Sequence, residues 1–216
     1  MSAYLDAVLV RRFGLVSYQP IFEKMLEFST ARNDETPDEF WLLQHRPVYT
    51  LGRNSKAHHI LNTGDIPVVQ VDRGGQVTYH GPGQIIIYPL VDIRRKQLGV
   101  RQVVTAMESA IVNTLEQLGI QAYPKPKAPG VYVADKKIAS LGLRIKNGKS
   151  YHGLALNVDM DLTPFQGINP CGYEGLEVTQ VSNEVSKFSL CDIETALIQA
   201  LASELNYKEV KELIND

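Results

Sequence analysis

With only two cysteines and five histidines among 216 residues, the chain has few side chains able to form or break covalent bonds. Cys171 stands in Ile168-Asn169-Pro170-Cys171-Gly172-Tyr173-Glu174-Gly175, where the flanking proline and glycine interrupt any regular element. A thiol so placed has two readings. It is a small apolar filler, as most cysteines are, or a nucleophile whose thiolate needs a nearby cation, base or helix N-terminus. Cys191 would sit near the start of a helix, where the macrodipole also favours thiolate, but Leu190 and Ile193 beside it mark it as packing. Lys137 begins a strand-like run in which alternation places Lys137, Ala139, Leu141, Leu143 and Ile145 on one face. Such a lysine either snorkels out at the strand end or is buried. Burial lowers its pKa and a thiolate neighbour raises it, so that the pair shares a proton. His80 and His152 are further candidate bases. His45, His58 and His59 lack the spacing of a zinc site, and no metal is assigned. No Walker loop and no Gly-x-Ser-x-Gly elbow is present.

The stretch Arg73-Gly74-Gly75-Gln76-Val77-Thr78-Tyr79-His80-Gly81-Pro82-Gly83-Gln84 places four glycines between two β-branched runs, Val68 to Val71 and Ile85 to Val91. Glycine lets backbone approach a ligand closely or take a positive φ, at an entropic cost. The expectation is a strand, a Gly-rich loop forming a binding wall, and a buried strand.

The elements that must position these groups are read from periodicity. Tyr18 to Ala31 and Arg101 to Leu118 carry apolar residues at helical spacing, Gly119 ending the second. A third helix follows Ser189, with Asp192 as a capping pair and Ile193, Leu197, Leu201 and Leu205 as its stripe. Strands are expected over Phe40 to Gln44, Gly130 to Val133, Lys137 to Ile145 and Tyr151 to Val158, the last three consecutive and antiparallel. Their turns are Ala134-Asp135-Lys136 and Lys146-Asn147-Gly148-Lys149. Strands cluster centrally without βαβ alternation, which predicts an α+β fold.

A hydrophobic content of 44% suffices for a sizeable core, and no linker or repeat divides the chain, so residues 1–216 are read as one domain. Pro124 to Gly130 is short enough to be a stiff connection within it. The partly apolar run Leu5 to Val10 is too short for a signal-peptide core, and no stretch approaches the roughly 20 apolar residues of a membrane span. A cytoplasmic protein with both cysteines as thiols is expected. The net charge of -2 argues against general nucleic-acid binding. Between Tyr123 and Lys149, however, Lys125, Lys127, Lys136, Lys137, Arg144, Lys146 and Lys149 face a single acid, Asp135, and Arg94-Arg95-Lys96 with Arg101 form a second cluster. These are either solvated faces or a docking surface for an acidic partner.

Taken together, these residues closely resemble the lipoyl(octanoyl) transferases. The resemblance runs from about His45 to Gln180 and rests on Arg73 to Gln84, Ala128-Pro129-Gly130-Val131-Tyr132-Val133, Lys137-Ile138-Ala139-Ser140-Leu141-Gly142-Leu143-Arg144, His152-Gly153-Leu154-Ala155-Leu156-Asn157 and Asn169-Pro170-Cys171-Gly172. Several long motifs in order are more specific than any one alone. Gln76 departs from the pattern, since many members carry aspartate there, and the first 40 and last 30 residues carry little family signature.

The resemblance implies a fold like the catalytic domain of biotin and lipoate protein ligases, a mixed, largely antiparallel sheet with packed helices. It implies Cys171 as the acyl-thioester nucleophile and Lys137 as its activating base. Substrate-binding stretches then fall on Arg73, Gly74, Gly75, Gln76, Val77, Thr78, Tyr79 and His80, on Ser140, Leu141 and Gly142, and on Gly153, Leu154 and Ala155. The implied activity carries octanoyl from octanoyl-acyl carrier protein to a lysine of lipoyl domains, those of 2-oxoacid dehydrogenase E2 subunits and of glycine cleavage H protein. No resident cofactor is implied, because the donor brings its own phosphopantetheine; a monomer free of membrane and nucleic acid is expected. The alternatives are an ATP-dependent lipoate or biotin ligase on the same fold and a carrier-binding module without turnover.

Overall fold

The structure is a computed structural model that describes residues 6–126 and 128–213; Leu5 and Lys127, named above, lie outside them. In chain order the elements are β1 (Ala7–Val16), α1 (Tyr18–Ala31), β2 (Glu39–His45), β3 (Val48–Leu51), β4 (Val68–Gln70), β5 (Val77–His80), β6 (Gln84–Leu90), α2 (Val100–Gln117), β7 (Tyr123–Lys125), β8 (Ala128–Val133), β9 (Lys136–Lys146), β10 (Lys149–Asn157), α3 (Val181–Glu184), α4 (Leu190–Glu204) and β11 (Glu209–Glu212). The three long helices coincide with the periodic stretches. Gly119, at φ 78°, caps α2 by donating its N–H to Glu116 O, and Ser189 caps α4 by accepting from the Asp192 N–H at 3.3 Å.

The main sheet runs β11-β1-β2-β6-β10-β9-β8-β7, parallel at β11-β1-β2 and antiparallel elsewhere. Period two divides it cleanly. Phe40, Leu42, Ile85 and Ile87 face α2 and α4, meeting Met107, Ile111, Leu115, Leu197 and Leu201, whereas Trp41, Leu43, Ile86 and Tyr88 meet Ile21 and Met25 of α1. Full burial of one such aliphatic side chain stabilises the fold by about 1.5–3 kcal/mol, which fixes the strand register: a one-residue slip would turn each set to the wrong layer. A second, small sheet, β4-β3-β5, lies where the Gly-rich stretch folds over.

Two expectations change here. Arg73 to Gln84 is not one loop: Val77–His80 forms β5, antiparallel to β3, so the stretch is a turn, a strand and a second turn. Its glycines obscured a four-residue strand whose Val, Thr and Tyr favour extended backbone. The second change concerns β9. Val131 pairs with Ala139 but Tyr132 pairs with Lys137, leaving Ile138 as an extra residue. At this bulge Ile138 and Ala139 both enter the α2 layer, so Lys137 is not on the Ala139 face as strict alternation predicts. Of the strands, β1, β3, β7 and β11 also escaped the sequence reading; β7 and the start of β8 occupy Pro124 to Gly130, expected as a connection.

Candidate active site

Lys137 is held from both sides. Its N–H donates to Glu177 O and its carbonyl accepts from Thr179 N–H, each at 2.9 Å, so the segment following Cys171 is stitched to the start of β9. That clamp, with the bulge, brings two residues 34 apart in sequence into contact, Lys137 Nζ lying 2.9 Å from Cys171 Sγ. The same ammonium donates to Pro129 O at 2.8 Å and lies over the Tyr132 ring. The lysine is 2% exposed, so it does not snorkel. Cys171 is half-buried and takes φ 56°, with Gly172 following at φ 79°. A left-handed non-glycine residue holds local strain of the kind found at functional sites. Cys191 is exposed at the first turn of α4, so the packing expected of it is not found.

Beside the pair lies a cavity of about 340 Å³. Its wall takes Arg73, Gly74, Gly75, Gln76, Val77, Thr78 and His80 from the Gly-rich stretch, Ser140, Leu141 and Gly142 from β9, Gly153, Leu154 and Ala155 from β10, and Cys171 itself. Of the residues expected to bind substrate, Tyr79 alone is outside this lining; it packs in the small-sheet core against Tyr49 and Phe165. Tyr18, Tyr88, Val100, Val104, Ala128, Pro129, Leu143, His152 and Tyr173 complete the wall. All but His152 were missed as site residues. Tyr18 opens the first predicted helix, and periodicity carries no signal of what it faces.

Arg73 is a buried cation among neutral acceptors. It donates to Thr50 O at 2.7 Å, Thr50 Oγ1 at 2.8 Å and Gly74 O at 3.0 Å, and among the described residues no carboxylate bonds to it. Burial lowers its pKa, yet a guanidinium stays charged. Gly52 and Gly142 make room for it: a Cβ would lie 2.7 Å from its Nη1 and 3.0 Å from its Cδ, respectively. From Thr50 a polar chain runs inward. Thr50 Oγ1 lies 3.4 Å from His80 Nε2, His80 Nδ1–H donates to Gln84 Oε1 at 2.8 Å, and Gln84 Nε2 donates to Asn157 Oδ1 at 2.8 Å. Asn157 Nδ2 then donates to Thr179 O at 3.0 Å, and Thr179 is the residue that clamps Lys137. The wall and the Lys137–Cys171 pair are thus joined by one hydrogen-bonded network.

The two histidines read as candidate bases serve the wall instead. Burial, reinforced by the neighbouring His45, lowers His80 to about 3, and burial lowers His45 to about 4. Burial likewise lowers His152, whose Nε2–H donates to Asp72 Oδ1 at 3.0 Å, leaving Nδ1 to accept from the Tyr18 hydroxyl at 3.4 Å. Burial alone would raise the Asp72 carboxyl; hydrogen bonds from His152 and Tyr151 outweigh it and hold it below the usual range. All three imidazoles are therefore neutral near pH 7 with both ring nitrogens engaged.

Residues 22–202 match the lipoyl protein ligase A/B catalytic domain family. Among curated relatives, the octanoyltransferase of Vibrio vulnificus is 54% identical over 206 residues, covering 95% of this chain and 94% of the relative. That of Escherichia coli is 54% identical over 203 residues, covering 94% and 95%. Among solved structures, the bipartite lipoate protein ligase of Thermoplasma acidophilum superposes with TM-score 0.74 at 17% identity, over 97% of this chain and 87% of that one. The biotin protein ligase of Aquifex aeolicus, in complex with biotin and ATP, reaches 0.56 at 12%, over 91% and 69%. These two likenesses establish the α+β ligase-type fold. The identity to the curated relatives goes further: the chain belongs to the lipoyl protein ligase A/B catalytic domain family and, within it, to the octanoyltransferases.

Proposed function

We propose that this acyltransferase moves an octanoyl group from octanoyl-acyl carrier protein to the ε-amine of a lysine on lipoyl domains, through a thioester on Cys171. The observation that carries it is the 2.9 Å contact between Lys137 Nζ and Cys171 Sγ at the side of a cavity. Thiolate from Cys171 attacks the donor thioester, and the proton held by Lys137 leaves on the phosphopantetheine thiol. The acceptor amine then attacks the acyl-enzyme and Cys171 departs as thiolate. A free lysine is almost wholly protonated near pH 7, given a reference pKa of about 10.4, so proton removal is part of this second step. No ATP is required, because a thioester is already activated, and no resident cofactor is called for. Val77 and Leu154 offer apolar surface to the acyl chain, and Arg73 is a cation available to charge developing beside it.

Action as a monomer is part of the proposal. Lipoyl domains of 2-oxoacid dehydrogenase E2 subunits and glycine cleavage H protein are the proposed acceptors, in the cytoplasm; among the described residues no helix is long and apolar enough to cross a membrane. Part of the basic surface is committed internally: Lys125 pairs with Asp135, Lys136 with Glu177 and Arg95 with Asp38, while Lys149 donates to Arg32 O. Exposed Arg94, Arg101 and Lys146 have no ion pair among the described residues, and Val100, next to Arg101, lines the cavity, which suits docking of an acidic carrier there.

Incubation with octanoyl-carrier followed by intact-protein mass measurement tests the chemistry. An octanoyl increment on Cys171 that added lipoyl domain discharges is expected, with no adduct able to discharge in Cys171→Ser. Full transfer by Cys171→Ser without a covalent adduct would remove the cysteine mechanism and favour activation of a free acid with ATP.

A further inference from the structure

Counting protons through the acyl transfer exposes a demand that Lys137 alone does not meet. Donor thioester plus an acceptor ammonium gives a thiol, an amide and one proton. Two protons therefore leave the acceptor nitrogen in each turnover. The first converts ammonium to amine and can go to Lys137, which has just delivered its own proton to the departing phosphopantetheine thiol. The second leaves after the nitrogen has bonded to the acyl carbon, when Lys137 is again an ammonium and Cys171 departs as thiolate. That proton needs a second acceptor.

Near the nucleophile, one imidazole is uncommitted. His59 ends the single 3₁₀ turn Ala57–His59 and is 7% exposed. Its carbonyl accepts from Asn169 N–H at 2.8 Å, and Ile60 bridges Ile168, so the turn is fastened to the strand-like approach to Cys171. A Cβ on Gly172, the residue after the nucleophile, would lie 3.2 Å from His59 Nε2 and 3.2 Å from Gln76 Cδ. Both side chains therefore pack on the Cys171-Gly172 turn. His59 Nδ1 and Gln76 Oε1 are each buried without a hydrogen-bond partner. Buried polar atoms are rarely left so, and two of them on side chains that both pack against the residue after Cys171 suit a ligand that donates hydrogen bonds. An alkylammonium, with three N–H donors, is such a ligand.

Resting on the Cys171 acyl-enzyme proposed above, we infer that His59 and Gln76 receive the acceptor lysine, with the His59 imidazole taking the second proton from its nitrogen and Gln76 Oε1 orienting it. In the step, the N–H bond breaks to the ring nitrogen, the nitrogen keeps the electron pair as the amide forms, and the carbon–sulfur bond breaks toward Cys171. The imidazolium then loses its proton to solvent. Burial, with the positive charge of Lys56 and the adjacent His58, lowers the His59 pKa, and Glu174 opposes this; the ring is accordingly neutral and ready to accept near pH 7. His45, His80 and His152 are engaged at both nitrogens and do not compete.

The two half-reactions separate the claim from its foundation. Wild type, His59→Ala, His59→Gln and Gln76→Leu are loaded with octanoyl-carrier and the rate of adduct formation on Cys171 is followed by mass; each loaded protein is then mixed with lipoyl domain and discharge is timed across pH. Adduct formation within about twofold of wild type and discharge slowed about 100-fold or more in both His59 variants are expected. Imidazole should restore part of the His59→Ala discharge rate, and Gln76→Leu should raise the lipoyl-domain concentration needed for half-maximal discharge. Discharge at the wild-type rate in both His59 variants, or equal slowing of both halves, overturns the inference. Failure of wild type itself to form an adduct overturns the acyl-enzyme, and the inference with it.

Discussion

Gly130→Ala should disable the site from behind. Gly130 holds φ +139°, and a Cβ there would lie 2.5 Å from Lys137 Cε, 2.8 Å from Lys137 Nζ and 2.6 Å from Ala139 O. The backbone conformation alone costs an L-residue about 1–3 kcal/mol. Ala139 O belongs to a strand ladder and cannot retreat, whereas the lysine end can, so Nζ is driven off Cys171. Losing a positioned acid-base group removes about 10²- to 10⁴-fold in rate, equivalent to roughly 3–5 kcal/mol of barrier. The strain predicts a Tm lower by roughly 2–12 °C in a domain of this size. The assay pairs urea unfolding with single-turnover octanoylation of Cys171, in Gly130→Ala, Lys137→Met and the double variant. If Gly130 acts only through Lys137, the double variant is no slower than Lys137→Met. A folded Gly130→Ala that octanoylates Cys171 at the wild-type rate would show that the 2.9 Å contact is not needed for chemistry.

Three further outcomes are expected. Stability should fall on mild acidification: His45 and His80 have folded values of about 4 and about 3 against an ordinary 6.5, so the unfolded chain binds their protons first. Their contribution is whole above about pH 6.5 and is lost as pH falls toward 4, at roughly 2–3 kcal/mol per pH unit together; equal urea midpoints at about pH 7 and about pH 5 would refute this. Ser189→Ala, which deletes the α4 cap, should cost about 1 kcal/mol in urea unfolding while single-turnover octanoylation keeps its rate, and a large activity loss would contradict the structural role assigned to it. Salt should raise the apparent KM for the carrier, and Arg101→Glu with Lys146→Glu should flatten that response; a KM indifferent to salt would count against docking by charge.

Much of this was legible in the chain. The three long helices followed from 3.6-residue periodicity, and the β8-β9-β10 meander from its turn residues, because Ala134 and Asp135 at φ 44° and 70° and Asn147 and Gly148 at φ 52° and 77° encode those turns locally. The wall-forming stretches were legible through motif resemblance. Tyr88, Val104 and Tyr173 were not, since their burial or exposure reads the same whether or not a cavity lies beside them. His59 reads in sequence only as part of a His-His pair, and nothing adjacent to it marks its unpartnered Nδ1 or the approach of its Nε2 to Gly172.

The chain by itself determined the reactive vocabulary: a thiol between proline and glycine, a lysine opening a strand, and glycines where backbone closes on a ligand. Those are properties of a residue and its immediate neighbours, so they survive without coordinates. Only the tertiary structure decided that Lys137 points to Cys171. Strict alternation aims it into the α2 layer with Ala139, and the reversal depends on an extra residue in the β9 register and on hydrogen bonds from the 177–179 segment, both consequences of long-range pairing.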